Sequence, residues 1–187
     1  MNPHVLLAQQ AVENYIKKGE IITPPAKLPE NFLNKKSGVF VTIEKKGRLR
    51  GCIGTYLPTK ENIAEEIIHN AIAAATEDYR FGPIQKEELP YLSYTVYILS
   101  KPELVKNIKE LNPKKYGIIV KTVPISFPNR TDVMFNGHTV PKSGLLLPDL
   151  EGVDTVEQQL SIACQKGGIN PQIEKIVVYK FTVKKYQ

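Results

Sequence analysis

One stretch limits the fold more than any other. Val39-Phe40-Val41-Thr42-Ile43-Glu44 reads as a strand, Lys45-Lys46-Gly47-Arg48 as a tight turn, and Leu49-Arg50-Gly51-Cys52-Ile53-Gly54-Thr55 as the returning strand. Glycine in the turn supplies the positive φ that a close return needs. Side chains alternate along a strand, so Leu49 and Ile53 are expected to face a core, and Arg50 and Cys52 the other side. A guanidinium beside a thiol favours the thiolate. Gly51 and Gly54 would leave backbone bare enough for a ligand to come close. The same spacing also fits a buried structural cysteine with a solvated Arg50, because a free cysteine often packs as a small hydrophobe.

The rest of the chain is consistent with an ordinary soluble domain. At 187 residues, with 42% hydrophobic and 24% charged residues, it can bury a core unaided. The net charge of +6 comes from scattered lysines rather than a dense basic tract, so nucleic-acid binding is a weak expectation. Two distant cysteines, Cys52 and Cys164, suit a reduced, cytoplasmic protein. No basic and apolar leader is read at the N-terminus and no apolar run is long enough to span a bilayer, so no membrane association is expected.

In chain order, Asn2 is expected to cap a helix with Pro3 in its first turn. Val5, Gln9, Val12 and Ile16 would form its inner stripe and Gly19 its end. A proline-rich connector follows to Pro29. After the hairpin, Thr59 is expected to cap a helix carrying Ile63, Ile67, Ile68, Ala71, Ile72, Ala74 and Ala75 inward. That helix runs into Glu77, Asp78, Tyr79 and Arg80, acids placed where the helix dipole disfavours them. Glu87 to Pro90 reads as a turn, Leu92–Leu99 as a strand, Glu103–Leu111 as a short helix and Tyr116–Val120 as a strand. A hairpin is expected over Val133–Val140 around Asn136-Gly137. Gly144–Pro148 reads as a short buried strand. A helix capped by Asp154 should place Val156, Leu160, Ala163 and Cys164 inward, and Glu174–Val183 reads as one last strand. Helices mixed with hairpins imply an α+β fold with a largely antiparallel sheet.

Familiar cofactor chemistry has no signature here. There is no phosphate-binding glycine loop, no H-E-x-x-H and no G-x-S-x-G. His4, His69 and His138 are isolated, so neither a metal nor a cofactor is expected. His69 is the one histidine that could serve Cys52 as a distant base.

Leu49–Thr55, the alanine-rich helix, Glu77-Asp78-Tyr79-Arg80-Phe81-Gly82-Pro83, Glu88-Leu89 and Gly144-Leu145-Leu146-Leu147-Pro148, in that order, resemble the AMMECR-one family from about Val39 to Ile169. The resemblance implies one domain, 1–187, in two unequal lobes. The larger is about 1–112 plus 151–187 and the smaller about 113–150. A cleft between them would be lined by Arg50–Thr55 and Asp78–Phe81. It also implies partners of Memo type or radical-SAM type, beside which such proteins are encoded. Tyr79 stands where the family commonly has proline, the Thr122–Lys142 segment is longer than usual, and the chain lacks a tryptophan.

These readings combine into a site for a small anionic ligand or substrate. Cys52 would be nucleophile or redox thiol, and Glu77 and Asp78 acid/base groups or supports for Arg80. Arg50, Gly51, Gly54, Thr55, Arg80 and Phe81 would bind the ligand. The competing expectation is a non-catalytic adaptor or an RNA- or protein-binding module, with Tyr56, Tyr79 and Tyr91 as its aromatic contacts.

Overall fold

The computed structural model describes residues 2–123 and 141–187. It is α+β, with two four-stranded sheets, and it divides into two compact units: Met1–Lys101 with Lys184–Gln187, and Pro102–Val183.

In the first unit, α1 (Pro3–Lys18) starts where Asn2 accepts a hydrogen bond from the His4 N–H at 3.0 Å and ends at Gly19, φ 75°. Its buried arc is Val5, Leu7, Ala8, Ala11 and Val12, while Leu6 is exposed, so the inner stripe is rotated from the one expected. A short helix in the proline-rich connector, α2 (Glu30–Asn34), buries Phe32.

Strands β1 (Val39–Lys45) and β2 (Arg48–Thr55) pair antiparallel around a two-residue turn. Lys46 and Gly47 sit at φ 51° and 74°, left-handed values that match the twist of a tight hairpin. β3 (Leu92–Leu99) also pairs antiparallel with β1, and with β8 (Val183–Tyr186) the order is β2-β1-β3-β8. Val39, Val41 and Ile43 of β1 and Tyr94 and Val96 of β3 pack with α1 and α3 (Ile63–Thr76) into one core. The alanines Ala71, Ala74 and Ala75 let α3 approach this sheet closely.

Two expectations fail here for local reasons. The register slips between Ile43 and Glu44, so Gly51 faces Ile43 while Leu49 faces Glu44, and Arg50 has no opposite residue. This bulge breaks the alternation. Leu49 is consequently exposed rather than in the core, and only Ile53 packs against it. The α3 cap is Asn62, not Thr59: Asn62 accepts from the Glu65 N–H at 3.0 Å, while Thr59 is drawn to Glu66 through both its N–H and its hydroxyl.

In the second unit the sheet order is β4-β7-β5-β6. The strands are β4 (Glu103–Leu104), β5 (Gly117–Thr122), β6 (Ser143–Leu146) and β7 (Ile176–Phe181), and every neighbouring pair is antiparallel. The helix α4 (Val156–Lys166) covers one face, burying Ala163 and Cys164 with Ile118, Val120 and Leu146. Its cap is Thr155 rather than Asp154; Thr155 and Gln158 exchange hydrogen bonds of 3.2 and 3.0 Å. The helix expected over Glu103–Leu111 is replaced by β4 and a short 3-10 turn at Ile108–Glu110, because Leu104 pairs with Tyr179 at the sheet margin. A short helix without packing is marginal, and edge pairing wins. The last expected strand splits at Thr182 into β7 and β8, which belong to different sheets. The hairpin expected over Val133–Val140 lies outside the described residues.

Candidate functional site

β2 is the outer strand of its sheet, and an outer strand presents unpaired N–H and C=O groups. Here the connection from α3 to β3 runs along that margin and meets those of Cys52. Asp78, just past the end of α3, accepts the Cys52 N–H at 2.9 Å. Arg80 donates to Asp78 from Nε at 2.9 Å and from Nη2 at 2.7 Å, and Nη2 also lies 3.5 Å from the Cys52 carbonyl oxygen. Asp78 is 4% exposed, yet its carboxyl is held down at about 2. The Arg80 guanidinium is the main cause, and the N–H groups of Cys52 and Arg80 add to it against the opposing effect of burial. An acid that violates the helix-dipole preference is thus compensated by a cation and by the neighbouring strand.

Further along the same margin, the Arg50 guanidinium holds Glu88 in a two-pronged pair at 2.9 and 3.0 Å. Its other donors reach the carbonyl oxygens of Gly82 at 2.8 Å and Pro83 at 3.2 Å. Lys45 also binds Glu88 at 2.8 Å, and the Gln85 N–H reaches it at 3.0 Å. Glu88 is held at about 2, chiefly by Arg50. Arg50, the bulged residue, therefore turns to the 82–88 segment.

Cys52 is half-buried and Cys164 buried, both as thiols rather than a disulfide. Cys52 sits opposite Thr42, whose hydroxyl donates to Sγ at 3.2 Å. The Tyr97 phenol is pushed up by burial and by the nearby Cys52 sulfur, while a hydrogen bond with the Thr42 hydroxyl pulls it partly back down.

The remaining residues separate. A side chain on Gly51 would collide with the Ala74 carbonyl oxygen of α3, and one on Gly54 with the Phe40 ring and the Val39 oxygen. The space expected to admit a ligand is filled by the protein itself. Thr55 donates to Glu66 at 2.6 Å. Phe81 is half-buried with the Arg80 guanidinium 5.5 Å above its ring. Glu77 is the exposed C-cap of α3, and His69 is exposed on that helix. Among the described residues no three His, Cys, Asp or Glu side chains come together to hold a metal ion.

Thr42, Glu66, Asn70, Glu88 and Tyr97 complete these networks without having been expected. Glu66 is fully buried, and burial alone would raise its pKa. Donors from Thr55, Thr59 and Lys60 outweigh that and keep it low. A signal for it exists in the sequence: Glu66 and Asn70 are an i, i+4 polar pair set into the apolar arc of α3.

Fold and site together define an α+β protein whose outer strand is fastened by two arginine–carboxylate pairs around a half-buried thiol. The chain belongs to the AMMECR1 family, whose model matches residues 5–186. It is 48% identical over 187 residues to a protein of Thermotoga maritima, an alignment covering 100% of this chain and 98% of that one. It is 42% identical to protein CA_C1420 of Clostridium acetobutylicum, covering 100% of this chain and 36% of that longer protein. The crystal structure of uncharacterized protein PH0010 from Pyrococcus horikoshii is similar with a TM-score of 0.80 at 33% identity, covering 97% of this chain and 88% of that one. No helix among the described residues is long and apolar enough to cross a membrane.

Proposed function

We propose that the first unit carries a thiol-centred site for a small anionic ligand or substrate, with Cys52 as nucleophile or redox thiol. The observation that supports this most is the Thr42 hydroxyl directed at Cys52 Sγ, 3.2 Å away. A hydroxyl donor stabilises a sulfur anion. Arg80, whose side chain is 46% exposed, is the cation that meets the ligand's charge, and Asp78 holds it in place. Asp78 is an orienting group in this reading, since a carboxyl held near 2 stays ionised at neutral pH. Arg50 braces the 82–88 segment. Partners of Memo type and radical-SAM type are the first to try in a binding assay.

The test is site-resolved alkylation of the intact protein by iodoacetamide. Cys52 should react faster at pH 7 than in the urea-unfolded chain, and Arg80→Gln should slow it. A native Cys52 that reacts no faster than the unfolded one ends the thiol reading.

A second reading, a binding module without chemistry, draws on Tyr79 and Tyr91. They are 95% and 53% exposed, with Lys46 Nζ 4.7 Å above the Tyr91 ring. Basic and acidic residues nearly balance along this margin, which suits a protein partner better than RNA. Retention on a polyanion column that falls steeply with salt would favour RNA instead.

A further inference from the structure

The pairing register fixes what surrounds Cys52. Val39, Val41 and Ile43 of β1, Tyr94 and Val96 of β3 and Ile53 of β2 pack into the core with α1 and α3. Side chains alternate along a strand, so Phe40, Tyr97, Gly54 and Cys52 share the opposite face. Phe40 lies opposite Gly54 on one side and Tyr97 on the other, one row along from Cys52. The Phe40 ring leans across the bare Gly54, where a Cβ would sit 2.3 Å from its Cγ. Opposed residues of neighbouring strands are close enough for large side chains to touch, so Phe40 and Tyr97 form an aromatic ledge beside the thiol. Both are half-buried, and each keeps part of its surface open.

The margin of β2 supplies the charge. Asp78 takes the Nε and Nη2 edge of Arg80 at 2.9 and 2.7 Å. Among the described residues nothing accepts from Arg80 Nη1, and the side chain is 46% exposed. A guanidinium held in place on one edge, with donors left on another, suits a carboxylate. A planar ring suits the ledge, because aromatic pairs attract beyond the area they bury. The same Arg80 lies 3.5 Å from the Cys52 carbonyl oxygen, and Tyr97 is near the Cys52 sulfur. Cation and ledge therefore flank one residue.

We propose that the anion taken by this site is a small aromatic carboxylate, with its charge on Arg80 Nη1 and its ring against Phe40 and Tyr97. The inference rests on the small-anion reading above and names the ligand's class. The ring contact is the part that the charged margin alone does not require.

The experiment is ligand-observed NMR on the full chain, with phenylacetate as probe and acetate, cyclohexylacetate and benzyl alcohol as controls. Phenylacetate should bind with a Kd on the order of 1 mM. It should bind about tenfold tighter than acetate or benzyl alcohol, and about threefold tighter than cyclohexylacetate, which has the charge and bulk without the aromatic face. Phe40→Leu should weaken it about fivefold and Arg80→Gln about tenfold. Acetate or cyclohexylacetate binding as well as phenylacetate overturns the aromatic class and leaves the small-anion reading in place. Phe40→Leu binding like the wild type does the same. Benzyl alcohol binding as well as phenylacetate removes the anion from Arg80, and the small-anion reading with it. The ligand comparison uses the wild-type chain, so it decides even where a variant fails to fold. A Cys52 that alkylates no faster than in the unfolded chain ends the thiol reading, while phenylacetate binding that depends on Phe40 and Arg80 still upholds the ligand class.

Discussion

Asp78→Asn tests the central arrangement, because it preserves shape while removing the charge and one of the two acceptor oxygens. The Asp78 carboxyl falls from 3.8 to about 2 on folding, with Arg80 the first cause. At ~1.4 kcal/mol for each tenfold change in proton affinity, that is ~2.5 kcal/mol of stability at neutral pH. Arg80 is half-exposed, so solvent screening trims the figure to about 2 kcal/mol. The native carboxyl is the stronger acid, so its contribution is complete above pH ~4 and disappears as pH falls through about 2. Urea unfolding of wild type and Asp78→Asn should differ by about 2 kcal/mol at pH 7, or ~4–8 °C in Tm for a chain of this length. The two should draw together as pH falls to about 2 and below, where the wild-type carboxyl becomes protonated. A deficit that stays constant from pH 7 to pH 2.5, or one below about 0.5 kcal/mol at pH 7, would refute the assignment of Asp78 as the charged fastener of β2.

Two further perturbations test the surroundings. Gly51→Ala should cost about 2–3 kcal/mol in denaturant unfolding, since the new methyl meets the rigid Ala74 carbonyl of α3 and the helix must shift; a neutral result would mean that α3 yields freely. Glu66→Gln should lose about 2 kcal/mol by the same assay, because an amide cannot accept all the donors now offered by Thr55, Thr59 and Lys60. Unchanged stability would show that those donors find water instead.

Local chemistry was readable where one residue decides it. Asn2, Gly19 and Gly47 end or turn their elements through their own side chain or lack of one, and the structure agrees with each. The strand Leu92–Leu99 has the bounds that its apolar alternation implies. Errors arose where a partner distant in sequence competes. Thr59 has the chemistry of a helix cap, but Glu66 binds it elsewhere. Leu104 has a place in an amphipathic pattern, but Tyr179 pairs with it. The bulge at Arg50 is invisible in the strand alternation, because it depends on the register with β1.

The amino-acid order alone determined that residues 39–55 form a hairpin bearing a glycine-flanked cysteine, and that acids follow a helix whose dipole opposes them. Both are consequences of backbone geometry within a few residues. Only the tertiary structure decided what those features do: the strand margin supplies Asp78 with the Cys52 N–H, Glu88 claims Arg50, and α3 fills the space beside Gly51. Charge and packing act between groups tens of residues apart in sequence, and a linear pattern carries no distance between them.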